Sequence, residues 1–226
     1  MEVVRLHLGR VNSKRRPFDA PVHGFILKHP SAGAILVDTG IGDPLAELIR
    51  YWDIVNEQMV AVLAEHDLVP SDVKMVVNTH LHWDHCGQNA VFGHAPFHVQ
   101  RGELERARRE ETLTREWFDF TGARFELHDG AEEVAPGVRV VPTPGHTVGH
   151  QSVVVKQAGG DDLFIGDAAY TKDIFDNFEQ LEVERVGGQA ADPLAWRESL
   201  RRVSSLAPEA IHFCHDTRVV HPTTTS

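Results

Sequence analysis

The chain has 226 residues, of which 42% are hydrophobic, and its formal net charge at pH 7 is −11. This length and apolar content are enough for one sizeable core, so we expect a single domain spanning residues 1–226. The acidic balance provides no basic field for a phosphate backbone, which argues against a nucleic-acid partner and against nuclease activity. A small substrate of low net charge is easier for such a chain to accommodate.

The distribution of apolar residues and the number of cysteines indicate the cellular compartment in which the protein is expected. No stretch approaches the ~20 consecutive apolar residues of a membrane span, and residues 1–10 lack the apolar run of a signal peptide. The two cysteines, Cys86 and Cys214, are too few for a disulfide framework and suit a reducing compartment. We therefore expect a cytoplasmic protein that does not bind membranes, with both cysteines as small buried thiols rather than ligands.

The first third of the chain is predicted to open with β-strands and to continue with helices. Strand-like runs occur at 3–8, 24–27 and 34–37, and a turn is predicted at Thr39-Gly40. Helical spacing predicts helices over 44–52 and 56–68. The apolar residues expected to face the core from these two helices are Leu45, Leu48, Ile49, Met59, Val60 and Leu63.

The string THLHWDHCG, residues 79–87, places His80, His82, Asp84 and His85 within six residues. Neutral imidazole and carboxylate suit Zn, Fe or Mn, whereas a thiolate-built structural site would need several cysteines. In an extended backbone His80, His82 and Asp84 share a face, and His85 points elsewhere, so one peptide can serve two neighbouring metals. Because residues 73–78 read as a buried strand, the ligands are expected on the loop at its C-terminal end, where sites sit on α/β scaffolds.

Downstream of this cluster, a strand is predicted at 96–99 and a charged helix at 101–110, whose alternating signs indicate a solvated face. Residues 111–122 fit no clear element. Their aromatic side chains, Trp117, Phe118 and Phe120, either cap a core or line a substrate pocket.

The second half is β-rich, with strands predicted at 138–141, 151–155, 163–165 and 210–213. Potential ligands follow these strands at His146, Asp167 and His215. A helix is predicted over 192–205, with Pro193 in its first turn. Residues 221–226 form a polar tail that we expect to be frayed.

Five signals occur in the order in which the metallo-β-lactamase superfamily shows them, and the chain resembles that family over nearly its whole length. They are Asp38 in VDTG, the cluster at 80–85, His146 in PTPGHTVGH, Asp167 in GDA and His215 in CHD. The resemblance implies an α/β fold, a four-layer αββα sandwich of two mixed β-sheets with outer helices and the metals at one edge.

The resemblance also implies a ligand assignment for two divalent metal ions. The residues matching one metal are His80, His82 and His146, and those matching the other are Asp84, His85 and His215, with Asp167 bridging both. Asp38 would steady the ligand loop without touching a metal. Zinc is the first choice, and Fe, Mn and Co stay open because affinity order alone does not choose among them.

The remaining histidines outnumber what a dinuclear site can use. His150, in HTVGH, and His212, close to His215, are considered as supports for the ligands. The others are expected to have surface or packing roles: His7, His23, His29, His66, His94, His98, His128 and His221.

Within the superfamily, the motifs favour one branch. An Asp at 167 disfavours the secreted antibiotic-degrading lactamases, which typically place Cys there. Only 11 residues follow His215, from which we expect no C-terminal helical domain of the glyoxalase II type. The segment GDAAYTKDIFDNF, residues 166–178, resembles the N-acyl homoserine lactonases, in which a tyrosine three residues after the bridging Asp reaches into the active site; here that residue is Tyr170.

The function expected from this resemblance is that of a metal-dependent hydrolase that opens N-acyl homoserine lactones or similar small lactones, and hence quenches quorum signals. A hydroxide held between the metals would attack the carbonyl, Tyr170 and one metal would stabilise the oxyanion, and Asp84 would carry a proton to the leaving alkoxide. Tyr170 could instead be a buried core tyrosine.

The sequence leaves open two alternative functions and the oligomeric state of the protein. One alternative is hydrolysis of aryl esters, organophosphates or thioesters at the same site. The other is a redox or purely binding role, which His82 weakens because diiron redox members usually carry Glu there. A homodimer is one option for the assembly.

Overall fold

The structure is a computed structural model that describes residues 1–15, 18–43 and 45–221. It contains two mixed β-sheets with helices, as the resemblance implied. The chain divides into two compact units, one comprising Met1–His98 and Ala107–Glu126, the other comprising Val99–Arg106 and the chain from Leu127 onward. A single domain over residues 1–226 remains a prediction, and the predicted frayed tail beyond residue 221 lies outside the described residues.

The first sheet has seven strands in the order β4-β1-β2-β3-β5-β6-β7. The strands are β1 (Glu2–Ser13), β2 (Asp19–His29), β3 (Gly33–Val37), β4 (Trp52–Asn56), β5 (Val73–Val77), β6 (Pro96–Gln100) and β7 (Arg124–His128). β3 and β5 are parallel, as are β5 and β6, so the carboxyl ends of these strands lie at the same edge. The adjoining core includes Leu6, Ile26, Leu36, Val76 and Phe97.

The second sheet has six strands in the order β13-β12-β11-β10-β9-β8. They are β8 (Glu132–Ala135), β9 (Val138–Pro142), β10 (Gln151–Lys156), β11 (Asp161–Phe164), β12 (Ala210–His212) and β13 (Val219–Val220). Among the described pairings only β11 and β12 are parallel. Its buried cluster includes Val154, Leu163, Trp196, Leu200 and Ile211.

The α-helices of the described residues are short. They are α1 (Ala46–Ile49), α2 (Met59–Ala64), α3 (Arg101–Glu110), α4 (Arg115–Phe118), α5 (Lys172–Asn177) and α6 (Pro193–Ser205). Within the described part of the chain, none has the length and apolar content needed to cross a bilayer.

The helix predicted over 44–52 is wrong for most of the part that the structure describes, residues 45–52, while Pro44 lies outside the described residues. Only the single turn α1 is helical, and the chain is already a strand at Trp52, which pairs with Ser13 of β1. α1 buries none of its residues, and Ile49 is 47% exposed, so the predicted core face does not exist. Pairing with a strand some 40 residues away satisfies the backbone hydrogen bonds of β4, and this tertiary constraint overrides the local apolar spacing.

The helix predicted over 56–68 is likewise shorter, because Asn56 still belongs to β4 and the helix spans only Met59–Ala64. Met59 and Leu63 are buried as predicted, but Val60 is 53% exposed and Val62 takes its place in the core. The predicted core face of this helix is therefore right at two residues and wrong at Val60.

Helix α3 lies where predicted, but its charged residues are not all solvated. Glu103 and Arg106 are buried, and the Arg106 guanidinium donates to Glu103 Oε1 over 2.7 Å. The hydroxyl of Thr147 donates to Glu103 Oε2 over 2.6 Å. Buried charges persist only when paired and hydrogen-bonded, and the alternating signs in the sequence did not reveal which pair is buried.

Helix α6 confirms its predicted start. Pro193 occupies the first turn, and the Asp192 carboxylate accepts hydrogen bonds from the backbone N–H groups of Leu194 and Ala195, both at 3.0 Å. Such a cap satisfies donors that the helix cannot.

We predict that Asp192→Ala lowers the free energy of unfolding by about 1 kcal/mol, because it removes this cap. Urea denaturation followed by circular dichroism measures the change. Asp192→Asn keeps an accepting oxygen and should stay close to wild type; equal losses in both variants would contradict the role given to the cap.

Candidate metal centre

The ligand loop, residues 79–87, follows β5 in the first unit and lies directly on the backbone after β3. The N–H of Gly87 donates to the carbonyl of Gly40 over 2.8 Å, and the N–H of Thr39 donates to that of His85 over 2.7 Å. A Cβ at Gly87 would lie 1.9 Å from the backbone nitrogen of Gly42. The loop can therefore approach this closely only with glycine at position 87.

Asp38 connects two parts of this loop. Its backbone φ is 57°, a left-handed conformation that Asp and Asn tolerate better than other non-glycine residues. Its buried carboxylate accepts from the backbone N–H of Thr79 (2.8 Å), the Thr79 hydroxyl (2.7 Å) and His85 Nδ1 (2.9 Å). This is the steadying position predicted for it.

The same hydrogen bonds fix the proton positions on two histidines. The Thr79 hydroxyl gives its only proton to Asp38, so its oxygen accepts from His80 Nδ1 at 3.1 Å. His80 and His85 thus both carry their proton on Nδ1, and each has its lone pair on Nε2. Hydrogen bonding of one ring nitrogen to leave the other as a ligand is the usual arrangement at metal-binding histidines.

His82 faces the neighbouring ligand histidine with Nδ1, whereas His80 and His85 each keep their lone pair on Nε2. Its Nδ1 lies 2.9 Å from His80 Nε2, while its Nε2 lies 3.5 Å from Glu111 Oε1. With the proton of His82 on the side of Glu111, two nitrogen lone pairs converge from His80 and His82, an arrangement suited to a shared cation. No sequence motif around Glu111 marks it as a neighbour of this cluster.

The first unit therefore brings together four of the seven predicted ligands. Donor atoms lie within 4.8 Å of each other in the pairs His80 with His82, His80 with His85, and Asp84 with His85. His80 and His85 are buried, whereas His82 and Asp84 are half-buried. Imidazoles and a carboxylate at these separations form a donor set that fits Zn, Fe or Mn.

The second unit brings the other three predicted ligands together around Asp167. His146 Nε2 lies 3.4 Å from Asp167 Oδ2, and His215 Nε2 lies 3.3 Å from Asp167 Oδ1. All three side chains are at least 96% buried. Each carboxylate oxygen thus faces a different imidazole, which fits the carboxylate expected to bridge two metals.

Strand order explains how these three residues meet. His146 follows β9, Asp167 follows β11 in a 3₁₀ turn, and His215 follows β12, and these strands belong to one sheet. The ends of neighbouring strands bring together residues that are up to 69 positions apart in the sequence.

His150 supports Asp167 directly. It is fully buried, and its Nε2 accepts the backbone N–H of Asp167 at 3.0 Å. Its Nδ1 therefore carries the proton and donates to Thr143 Oγ1 at 2.8 Å, while Thr143 Oγ1 also contacts Ser152 Oγ at 2.9 Å. Of the two histidines considered as supports, His150 thus has a contact to a ligand residue. His212 instead stacks on Phe164, with ring centroids 4.5 Å apart.

Tyr170 packs beside the ligand histidines of the second unit. Its ring lies edge-on to those of His146 (5.6 Å between centroids) and His215 (5.4 Å), and only 7% of the residue is exposed. Its backbone N–H donates to Gln189 Oε1 over 3.1 Å. No sequence motif marks Gln189 as part of this site.

The two cysteines are buried free thiols, as predicted. Burial, followed by the nearby carboxylate of Glu111, raises the pKa of Cys86 well above its ordinary value. The Cys86 thiol donates to the carbonyl of His82 over 3.2 Å. A protonated thiol in this position acts as a packing group of the ligand loop.

The three aromatic residues of uncertain role pack within the first unit. Phe118 is fully buried, and Phe120 lies edge-on to Phe97 with 5.9 Å between centroids. The Trp117 indole covers Gly42, where an added Cβ would lie 2.7 Å from it. These contacts favour the core-capping alternative over a pocket lining.

The fold and the donor sets define a metal-dependent enzyme scaffold, and the chain belongs to the Metallo-beta-lactamase superfamily, whose sequence profile matches residues 20–215. All seven predicted ligands fall within that range.

Within this superfamily, the chain is similar to several individual N-acyl homoserine lactonases. The chain is 32% identical over 222 residues to the N-acyl homoserine lactonase of a Bacillus species, covering 91% of this chain and 86% of that one. It resembles a solved B. thuringiensis AiiA mutant with N-decanoyl-L-homoserine bound at the active site (TM-score 0.78, 28% identity, 95% and 93% of the two chains). It also resembles an N-acyl homoserine lactone hydrolase with the product N-hexanoyl-L-homoserine bound at the catalytic metal center (TM-score 0.78, 27% identity, 95% and 93%).

We predict that Asp38→Asn weakens zinc binding by about 10–100-fold, the usual effect of removing a hydrogen-bonding support behind a ligand. The amide cannot accept from all three donors, but Asn tolerates the left-handed backbone, so the change tests the carboxylate rather than backbone strain. Chelator competition on purified protein measures the affinity.

Asp67→Asn is the matched control, because Asp67 also has a left-handed backbone (φ 58°) and is exposed. Its zinc affinity should equal that of wild type. Wild-type affinity in Asp38→Asn would refute the positioning role.

Proposed function

We propose that this protein is an N-acyl homoserine lactonase, a dinuclear metal-dependent hydrolase that opens the lactone ring. The observation that carries the proposal is the 32% identity to a lactonase over 91% of this chain. The geometry of the buried Asp167 carboxylate also supports a dinuclear site, because each of its two oxygens faces a different imidazole. An uncharged lactone also suits a chain of net charge −11.

The proposed ligands divide between two divalent ions. His80, His82 and His146 would hold one ion, and Asp84, His85 and His215 would hold the other, with Asp167 shared. The proton positions assigned to His80 and His85 support this set, since both histidines keep a lone pair on Nε2. We propose zinc as the metal because it suits imidazole and carboxylate donors; elemental analysis distinguishes it from Fe, Mn and Co.

When bound, divalent ions of this kind polarise a carbonyl group and make water nucleophilic at neutral pH. Tyr170, which lies against both ligand histidines of the second unit, would direct its hydroxyl to the substrate carbonyl oxygen, where negative charge develops. Asp84 would take up the proton that the attacking water releases and deliver it to the leaving alkoxide. Ring opening then yields the N-acyl homoserine.

Two further properties are part of the proposal. Both cysteines are free thiols, which supports a reducing, cytoplasmic location. A homodimer is proposed for the assembly, and its mass in solution by light scattering tests it.

We predict that the purified, zinc-loaded protein hydrolyses N-acyl homoserine lactones with higher kcat/KM than paraoxon, aryl esters or thioesters. Chelation should remove both the metal and the lactone activity, and added zinc should restore them. Lactone turnover that persists in a sample shown to be metal-free would defeat the metal-dependent mechanism. A preference for paraoxon or thioesters would favour the alternative hydrolase.

We also predict that Tyr170→Phe lowers kcat on lactones by roughly 10–100-fold while the metal content stays that of wild type, because the ring packing remains and one oxyanion donor is lost. Steady-state kinetics and elemental analysis on the same preparation measure both quantities. Full activity in this variant would assign Tyr170 to the core instead.

A further inference from the structure

Gln189 contacts three functional parts of the second unit at once. It lies between α5 and α6 and is fully buried. Its side-chain Nε2 donates to the carbonyls of Asp167 (2.7 Å) and Ala168 (3.4 Å), and its Oε1 accepts the backbone N–H of Tyr170. Its own backbone carbonyl lies 3.2 Å from His146 Nδ1.

The bond to His146 determines which nitrogen of this histidine can bind a metal. A carbonyl oxygen only accepts, so His146 Nδ1 carries the proton and donates it to Gln189. The lone pair is then on Nε2, the atom that faces Asp167. Gln189 therefore orients one proposed ligand through its main chain and the segment of another through its side chain.

The residues that follow Gln189 reinforce the same two loops. The N–H groups of Ala191 and Asp192 donate to the carbonyl of Gly145 at 2.8 and 2.9 Å. The Trp196 indole N–H donates to the carbonyl of Ala168 at 2.6 Å. A Cβ on Gly145 would lie 2.3 Å from Trp196 Cα, so the turn that carries His146 lies directly on the start of α6.

Only a carboxamide meets the demands on the side chain of Gln189. The carbonyl of Asp167 needs a donor, and the N–H of Tyr170 needs an acceptor. A carboxylate would satisfy Tyr170 but would place a negative charge against the Asp167 carbonyl, and an apolar side chain would leave both groups unsatisfied in the interior, which is unfavourable for each of them.

We propose that Gln189 is a positioning residue of the metal centre, which holds His146, Asp167 and Tyr170 in the relative positions that metal binding and turnover require. Its effect on turnover rests on the proposed function, whereas its effect on metal binding rests only on the ligands. Supports of this kind typically change metal affinity or activity by about 10–100-fold when they are removed.

The test compares Gln189→Glu and Gln189→Met with the control Gln180→Glu, which changes an exposed glutamine in the same connection. Both Gln189 variants should weaken zinc binding by about 10–100-fold in chelator competition and lower kcat on lactones with KM within about twofold of wild type. Hydrogen exchange at the Tyr170 amide should accelerate in Gln189→Met, which removes the acceptor of that amide, and should stay close to wild type in Gln189→Glu, whose carboxylate still accepts from it. Gln180→Glu should match wild type in every measurement.

A variant that is less stable yet binds zinc and turns over like wild type would overturn the proposal, because the role would then be structural only. A measurement on wild type covers the case in which the variants do not fold. The side-chain amide resonances of Gln189 should shift on loading zinc while those of Gln180 do not; unchanged Gln189 resonances would also overturn the proposal. Should wild type fail to hydrolyse lactones, zinc affinity and these resonances still decide the role of Gln189.

Discussion

An imidazole can offer a lone pair to a metal only while its other nitrogen holds the proton, and the hydrogen bond at that other nitrogen is the constraint on which the proposed centre depends. In the first unit, the Asp38 carboxylate meets this constraint for two ligands. It accepts from His85 directly and orients His80 through the Thr79 hydroxyl. In the second unit, the main chain of Gln189 serves His146 in the same way. Without these acceptors each ring would sample both tautomers, and only a fraction of the molecules would present the ligand nitrogen.

The groups that accept these histidine protons are buried, and burial makes their hydrogen bonds more important for stability than exposed ion pairs are. An exposed ion pair such as Arg10 with Asp19 contributes little, because water competes for both groups. The carboxylates of Asp38 and Glu103 are almost completely buried, so loss of a partner leaves an uncompensated charge in the interior. Glu103 accepts from Thr147, which directly follows the proposed ligand His146, and so couples the stability of α3 to the turn that carries this histidine. Stability and metal binding therefore depend in part on the same hydrogen bonds.

The proposed ligands could be predicted from the sequence because their signals are local. The cluster at 80–85 is a short motif, and His146, Asp167 and His215 each lie within a few residues of the end of a recognisable strand. Gln189 has no such signal, since the residues that it contacts lie 19 to 43 positions away in the chain. Long-range contacts also explain why part of the secondary structure was predicted wrongly. The apolar spacing of 44–52 is compatible with a helix, and only the pairing of β4 with the distant β1 shows that Trp52 begins a strand.

The proposed ligands of the first unit and those of the second unit are held in place in different ways. In the first unit, four proposed ligands lie on six consecutive residues, so one loop, which packs through Gly87 on the backbone after β3, orders all of them together. In the second unit, three proposed ligands come from three separate turns. Each turn must lose its conformational freedom independently, at a cost of about 1–2 kcal/mol per residue in backbone entropy. Hydrogen bonds between the turns offset this cost, which explains why side chains from elsewhere are buried there. His150, which precedes β10, holds the turn of Asp167 from one side, and Gln189 before α6 and Trp196 in its first turn hold it from another. The three ligand turns are thus ordered by shared neighbours rather than by their own sequence.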